Sequence, residues 1–461
     1  MQNFKGDVKN GVVHTDFSLI NKMLSIFPKE VFKDPNLKWL DPCCGRGYFM
    51  IALLKRLMSS LDPPNNTREY IIKNMLYMVE IDQDYVAACR EIFGEGANIL
   101  HKDFFEMEND FPSPDIIIGN PPFNRGGLKK VPTKAGVSKK FDGRTVWPSF
   151  VKTAIGFLKD GGLFNMIIPS IWMKQDKAGM YDFLLQYNIT KIHCFNNTET
   201  NRMFHGHAQT PTSFFLLEKI ATRDRILLYD SQMKVYIPWK TDGGPIPVFA
   251  SAILLKLRPW VKKYGSLNVF KTSMPPVGIF FGKSKSNILQ YPNIKTCRLN
   301  GRHPELIINY SNKPILFHGI PKLVLAHKMY GFPYLDLAGR FGISNRDNYV
   351  FFNRSLANLR LLHDFLSTRF VRYLFEGCRY RMKFLEKYIF ELIPDLTQFY
   401  VGRERITDRV LCRLFFLSEQ EKAAVLNYHK KEYSFCREKI ESPALKKFMR
   451  TNEKIFHRAN S

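Results

Sequence analysis

Through the first half of the chain, short apolar runs rich in Val, Ile and Phe alternate with stretches whose apolar residues recur at helical spacing. The runs are Lys38–Asp41, Met75–Ile81, Asn98–His101, Asp115–Gly119, Gly162–Ile168, Ile189–Phe195 and Ser213–Glu218; the helical spacing is plainest in Met50–Ser60 and Val146–Leu158. Each run predicts a strand and each intervening stretch a helix. Such alternation predicts an α/β fold with a doubly wound, mostly parallel sheet. Ligands of these sheets lie beyond the carboxyl ends of the strands, at a switch point, so the residues that follow each run are the ones to read for chemistry. Around 220–245 the alternation stops, and TDGGPIP at 241–247 predicts a linker.

The first run leads into Asp41-Pro42-Cys43-Cys44-Gly45-Arg46-Gly47. Gly45 and Gly47 permit a tight turn and close approach of a ligand to the backbone, and the acid can accept hydrogen bonds from an amine or hydroxyl. No GxxxxGK[ST] is present, which speaks against a P-loop, and the third glycine of a dinucleotide fingerprint is missing. Taken alone, a GxG serves an ordinary strand-to-helix turn equally well. The second run ends in Val79-Glu80-Ile81-Asp82, an acid where nucleoside-binding folds hold ribose hydroxyls. Glu80 stands 33 residues past Gly47, against a usual gap of ~20, and Leu61–Glu69 (LDPPNNTRE) predicts an inserted turn that absorbs the difference. The third run leads into Asp103-Phe104-Phe105, an acid and aromatics where an adenine ring could lie. The fourth ends in Asn120-Pro121-Pro122-Phe123. Its prolines donate no hydrogen bonds and hold the backbone extended. They present carbonyls and a side-chain amide in a fixed direction beside a flat ring, which suits an exocyclic amine on a stacked base.

Charge changes the picture of the second half. The 461 residues, two or three domains by length, carry 68 Lys+Arg against 42 Asp+Glu, a formal net of +26, with pI near 9.6. Residues 1–235 hold 30 basic and 25 acidic side chains, and residues 236–461 hold 38 and 17. A near-neutral half followed by a strongly basic one predicts one part that does chemistry and one that holds a polyanion. With 39 Phe and 20 Tyr in the chain, nucleic acid suits better than a membrane surface. Arg125–Arg144, directly after the NPPF segment, holds seven basic residues, one acid and four glycines in 20 positions. That composition predicts a mobile loop whose Lys129, Lys130, Lys139 and Lys140 grip phosphates. The eight cysteines form no CxxC pair and no disulfide framework, which disfavours zinc ribbons and fits a reducing compartment. His205-Gly206-His207 has no third ligand at metal spacing, so no metal is expected. There is no apolar leader and no run of 18 apolar residues, so neither secretion nor a membrane span is expected.

In this order, the DPCCGRGYF, VEID, DFF and NPPF segments resemble the S-adenosylmethionine-dependent amino-methyltransferases, and more narrowly the gamma class of N6-adenine DNA methyltransferases. The resemblance covers about residues 1–220. It implies a seven-stranded Rossmann-like methyltransferase domain over 1–240, a basic DNA target-recognition domain over 245–400 and a basic helical extension over 401–461. It implies S-adenosylmethionine as cofactor, held by Thr15, Asp41, Pro42, Cys43, Gly45, Gly47, Glu80, Ile81, Asp103, Phe104 and Asn120, with Glu80 on the ribose and Asp103 on the adenine amine. Thr15 lies in His14-Thr15-Asp16, which lacks the family's proline, and Arg46 stands where a small Ser or Thr is usual. The resemblance assigns the target base to Asn120, Pro121, Pro122 and Phe123. It implies a site-specific, base-flipping adenine-N6 methyltransferase, monomeric on double-stranded DNA. Its place is the cytoplasm, at the nucleoid, or the host or viral compartment that holds the DNA, with any cognate restriction endonuclease encoded separately.

The residue types suit that chemistry. A sulfonium is a good leaving group, so neither a metal nor a covalent nucleophile is needed. Adenine N6 is a poor nucleophile, and acceptors at Asn120 and Pro121 would favour its pyramidal form. Arg340, Asn345, Arg346 and Arg379 are expected near DNA, since Arg and Asn read guanine and adenine edges. Arg379–Lys383 is expected to open a helical region. RNA adenine, cytosine N4 and a protein glutamine amide stay open as acceptors, as does a DNA-binding protein with a vestigial cofactor site. A glutamine methyltransferase has no need of the basic half, and the intact motifs argue against decay. A nuclease fusion finds no PD-(D/E)xK pattern and little room.

Overall fold

The chain divides near residue 246 into two units, with 232–234 grouped with the second. The structure, a computed structural model, describes residues 15–125, 144–206, 208, 210–300, 303–329, 331–381, 384–401 and 405–428.

The first unit is built on β1 (Trp39–Asp41), β2 (Leu76–Glu80), β3 (Asn98–His101) and β4 (Ile116–Gly119), then a small ribbon of β5 (Asn124–Arg125) and β6 (Arg144–Thr145), then β7 (Leu163–Pro169), β8 (Tyr187–Phe195), β9 (Thr212–Ala221), β10 (Arg225–Asp230) and β11 (Val235–Lys240). All but the ribbon form one sheet in the order β11-β10-β8-β9-β7-β4-β1-β2-β3. β3, β2, β1, β4 and β7 run parallel, and β9 lies antiparallel between β7 and β8. The seven apolar runs are seven of these strands. Every residue of β2 and β4 is buried, and burial on both faces is what makes such strands continuous apolar runs. The expected seven strands are nine. β10 and β11 form an antiparallel hairpin that extends the sheet past β8, within the stretch where the strand–helix alternation of the sequence stops. β10 buries Ile226, Leu228 and Asp230 and exposes Arg225 and Leu227, so it shows period two and no continuous run.

The helices of this unit are α1 (Phe17–Ser25), α2 (Tyr48–Met58), α3 (Arg68–Asn74), α4 (Gln83–Phe93), α5 (Trp147–Phe157), α6 (Met180–Leu185) and α7 (Asn197–Met203). Leu19 and Met23 of α1 and Leu53 and Leu57 of α2 pack with Trp39, Leu76 and Ile116 of the sheet in one core. The stretch expected to be an inserted turn, Leu61–Glu69, is a turn over 61–67 that leads into α3, capped by Thr67.

The second unit contains α8 (Ser251–Tyr264), β12 (Phe270–Lys271), β13 (Phe281–Gly282), β14 (Tyr291–Asn300), β15 (His303–Ser311), β16 (Lys322–Ala326), β17 (Pro333–Asp336), β18 (Gly342–Ile343), β19 (Asn348–Phe351), α9 (Leu356–Leu366), α10 (Arg369–Gly377), α11 (Asp408–Leu414) and α12 (Glu419–Leu426). Its strands make two four-stranded sheets, β12-β19-β16-β17 and β13-β15-β14-β18. Ile294, Cys297, Phe317, Val324, Phe332 and Val350 share one core. The helical region does not open at Arg379. α9 and α10 precede it, and the described residues from 378 to 407 hold only short 3-10 turns. α11 and α12 pack on α10, so the described part of 401–461 belongs to this unit; 429–461 lie outside the described residues.

Lys322 is wholly buried in β16. Its Nζ donates to Asp336 Oδ2 at 2.5 Å and to the carbonyls of Phe317 and Ile320 at 3.1 and 3.2 Å. Asp336 also accepts the N–H groups of Arg340 and Phe341 at 2.9 and 3.0 Å. Removing one partner of a buried pair leaves the other charge uncompensated, at a cost of about 3–5 kcal/mol. Lys322→Ala is therefore expected to lower the unfolding free energy of the second unit by that amount, read by equilibrium urea denaturation as a lower midpoint.

Candidate active site

From β1 the chain proceeds to β2 and β3 on one side of the sheet, and from β4 to β7 on the other, so the switch point lies between Asp41 and Gly119. Asp41 is fully buried there, and its Oδ1 accepts the Cys43 N–H at 3.2 Å. Gly119 runs so close that a Cβ would lie 2.7 Å from Asp41 Oδ1, so no larger residue fits before Asn120. Cys43 Sγ donates to the Asn120 carbonyl at 3.3 Å, and Asn120 Nδ2 donates to Thr15 Oγ1 at 3.1 Å. Thr15, Cys43 and Asn120, from three distant segments, thus form one linked group.

Glu80 clamps the glycine turn. Its Oε2 accepts the Gly45 N–H at 2.7 Å, and its Oε1 accepts those of Ile81 and Asp82 at 2.9 and 3.0 Å. A carboxylate has about four acceptor positions, so this one keeps about one for a ribose hydroxyl. Gly45 and Gly47 sit at φ +53 and +73, where glycine carries no steric penalty. A Cβ on Gly47 would come within 2.8 Å of the Phe93 ring, whereas one on Gly45 would meet nothing within 4 Å. Open space therefore lies beside Gly45. Arg46 places its guanidinium 5.3 Å from the Tyr85 ring, a cation–π contact with α4.

The electrostatics favour a cationic visitor. Burial, with a smaller contribution from Glu80, raises the Asp41 carboxyl to about 8 against the pull of the Cys43 N–H. Burial also raises Glu80, opposed by its three backbone donors, and pushes the Cys43 thiol well up. Asp41 Oδ2 is buried with no hydrogen bond among the described residues, at a cost that a positive group would relieve.

Asp103 accepts the Phe105 N–H at 3.1 Å. Phe104 points into the core, its ring 4.7 Å from that of Phe150, and the outward ring is Phe105. Ile81 is also exposed, so two apolar surfaces flank the strand ends. Pro121 is buried, while Pro122 and Phe123 are half-buried. The Phe123 carbonyl accepts the Val146 N–H at 3.2 Å, and β5 and β6 pair just beyond. Lys129, Lys130, Lys139 and Lys140 lie outside the described residues. In the second unit Arg340 and Arg346 are exposed and Asn345 half-buried. Arg379 departs from its expected role. Its guanidinium is bound to buried Glu376 at 2.8 and 3.2 Å, so it is held inward as a structural ion pair. His205 pairs with Asp16 at 3.3 Å, and no metal-binding group occurs among the described residues. The sequence reading assigns Phe104 rather than Phe105 to the cofactor and gives Gly119 no role. A glycine directly before NPPF was the available signal for Gly119; nothing local separates Phe105 from Phe104.

An open glycine turn, an acid at the second strand end, outward apolar faces and an orphaned buried carboxylate oxygen together fit S-adenosylmethionine. The parallel run β3-β2-β1-β4-β7, with β9 antiparallel between β7 and β8, is the strand order of the class I S-adenosylmethionine-dependent methyltransferase fold, here extended by β10 and β11, and S-adenosylmethionine is the cofactor of that class. Residues 50–201, all in the first unit, match the model of the Eco57I restriction-modification methylase family. A type II restriction enzyme and methyltransferase, RM.BcgI of Heyndrickxia coagulans, is 25% identical over 183 residues, 37% of this chain and 26% of that protein. The chain thus spans about a quarter of that relative. Among solved structures, the type IIL restriction-modification enzyme MmeI in complex with DNA is 11% identical, at TM-score 0.45 over 96% of this chain and 71% of that one. A type I methyltransferase subunit from Streptococcus thermophilus is 15% identical, at TM-score 0.35 over 51% of each chain.

Asp41 yields a pH test. Its carboxyl has an ordinary value of 3.8 and is raised to about 8 in the folded protein. Its contribution to stability is fully present below the lower value and is lost as pH rises to the upper one. Asp41→Asn escapes that loss. Thermal melts without cofactor are expected to show the variant gaining on the wild type across this window, while calorimetry shows weaker binding of S-adenosylmethionine.

Proposed function

We propose that this chain is a site-specific DNA methyltransferase that acts as a monomer on double-stranded DNA and transfers a methyl group to adenine N6 after flipping the base, with any restriction endonuclease on a separate chain. The observation that carries this reading is the linked Thr15–Asn120–Cys43 group at the switch point, directly before two prolines and an aromatic ring. The match to restriction-modification methylases supports DNA as the substrate.

When bound, the cofactor supplies an electrophilic methyl on a sulfonium. The chain's own residues orient the acceptor. Thr15 takes one hydrogen of the Asn120 amide, which fixes the plane of the amide and hence the direction of its oxygen. Cys43 holds the Asn120 backbone from the other side. Pro121 has no N–H, so its peptide offers only a carbonyl toward an amine. Two fixed acceptors on one amine withdraw its lone pair from the ring and disperse positive charge as it develops. The half-buried Phe123 provides a face for the base, and stacking of that kind is worth ~1–3 kcal/mol. Unstacking and unpairing the base costs a few kcal/mol, and phosphate contacts make up the difference.

Expression in a methylation-free host, with modified bases mapped by single-molecule sequencing, tests the reaction. Modified adenines in a fixed sequence context are expected; modified cytosines, or none, would remove the adenine assignment. Asn120→Ala is expected to lower single-turnover methylation by ~10²–10³ with little change in DNA affinity. Thr15→Val should lower the same rate less severely, and Thr15→Ser, which keeps the hydroxyl, should restore it. Equal rates for the Val and Ser variants would remove Thr15 as the residue that orients Asn120.

A further inference from the structure

Exposed apolar side chains are concentrated in the second unit between β12 and β14. Met274, Val277, Phe280 and Ile288 are 60, 104, 68 and 74% exposed. Soluble proteins seldom leave such a group in water without a use for it. The segment is held in shape. Pro275 and Pro276 restrict the backbone ahead of Val277, and Gly278 turns at φ +89. Phe280 N–H then donates to Asn312 Oδ1 at 3.1 Å, and Phe281 and Gly282 pair with Ser311 and Tyr310. Further on, Leu289 packs over Gly282 so closely that a Cβ there would meet it at 2.5 Å. The apolar side chains therefore stand on a preorganised finger, and preorganisation lowers the entropy lost on binding.

The charge around the finger selects its partner. Lys271, Lys283 and Lys285 are exposed beside it, and residues 251–300 hold nine basic residues and no acid. A partner must offer dense negative charge to the lysines and an apolar interior to the ridge. Duplex DNA offers both, in its phosphates and in the stacked faces of its base steps. We propose that the 274–288 finger is a wedge that inserts into duplex DNA, with Val277 and Phe280 entering between base steps while Lys283 and Lys285 hold adjacent phosphates. The proposal rests on the DNA reading above and adds a contact of a different kind, one that salt does not weaken and that bends the duplex.

Fluorescence anisotropy of a labelled mixed-sequence duplex with the 461-residue chain, over a range of salt, separates the two contributions. Val277→Ser with Phe280→Ser is expected to weaken binding about 10- to 100-fold, with an unchanged slope of log K against log salt. Lys283→Ala with Lys285→Ala is expected to flatten that slope by about 1.8. End-to-end energy transfer should report a bend with the wild type and none with the serine variant. Both variants change exposed side chains, so melting and cofactor binding should match the wild type. Serine variants that bind and bend DNA like the wild type overturn the wedge and leave the methyltransferase reading standing, the finger then facing a protein. A wild type that binds no duplex overturns the DNA reading, and the wedge with it.

Discussion

Between β1 and β4 a carboxyl group, a glycine and a thiol occupy a space that admits nothing larger. Asp41 ends one strand, Gly119 ends its neighbour, and a Cβ at 119 would collide with the acid. This close approach lets the cofactor turn and the NPPF turn share one group of hydrogen bonds. Cys43 reaches the Asn120 carbonyl only because the two strand ends are adjacent, and Asn120 reaches Thr15 only because its backbone is so held. The cost falls on Asp41, which is buried, raised to about 8 and left with an oxygen that no described residue satisfies. A well-packed apolar residue there would suit a free-standing fold better. The acid is intelligible as part of a site completed by something positively charged.

Glu80 shows the same economy. One carboxylate at the end of β2 fixes the Gly45 turn and orders the backbone into α4, whose first N–H groups are capped by Asp82. The turn is thus held by the residue proposed to meet the ribose, which ties the loop's shape to that contact in the proposed site. A change at Glu80 acts on both, and loss of cofactor affinity there cannot be assigned to a missing ribose contact alone.

The sheet was legible because its physics is simple. Strands buried on both faces become continuous apolar runs, and all seven runs are strands of the first unit, in the strand order of a methyltransferase fold. The motif-bearing turns could be found because each follows such a strand. What was illegible depends on contacts that no pattern along the chain announces. The β10–β11 hairpin has one exposed face and no run to announce it. Arg379 read as a DNA contact until Glu376 was seen to hold it, a pairing that three residues of helical spacing permit but do not require. Phe104 and Phe105 are chemically identical neighbours, and only packing against Phe150 decides which one turns inward. The sheets of the second unit depend on pairings such as Lys322 with Asp336, whose partners stand 14 residues apart with no pattern linking them.

The ribbon of β5 and β6 connects the chemistry to the basic segment that follows it. β5 begins one residue after Phe123, β6 ends one residue before Val146, and Val146 returns a hydrogen bond to the Phe123 carbonyl. Both ends of the stretch over 126–143 are therefore fixed at the NPPF turn, whatever path lies between them. On the other side of the turn, Asn120 is anchored by Thr15 and Cys43, so the turn is held at both ends and only Pro121 and Pro122 lie between. Prolines suit that position because they restrict the backbone without needing hydrogen bonds that a bound base would have to displace. The rigidity of the turn thus comes from its prolines as well as from the hydrogen bonds at its two ends.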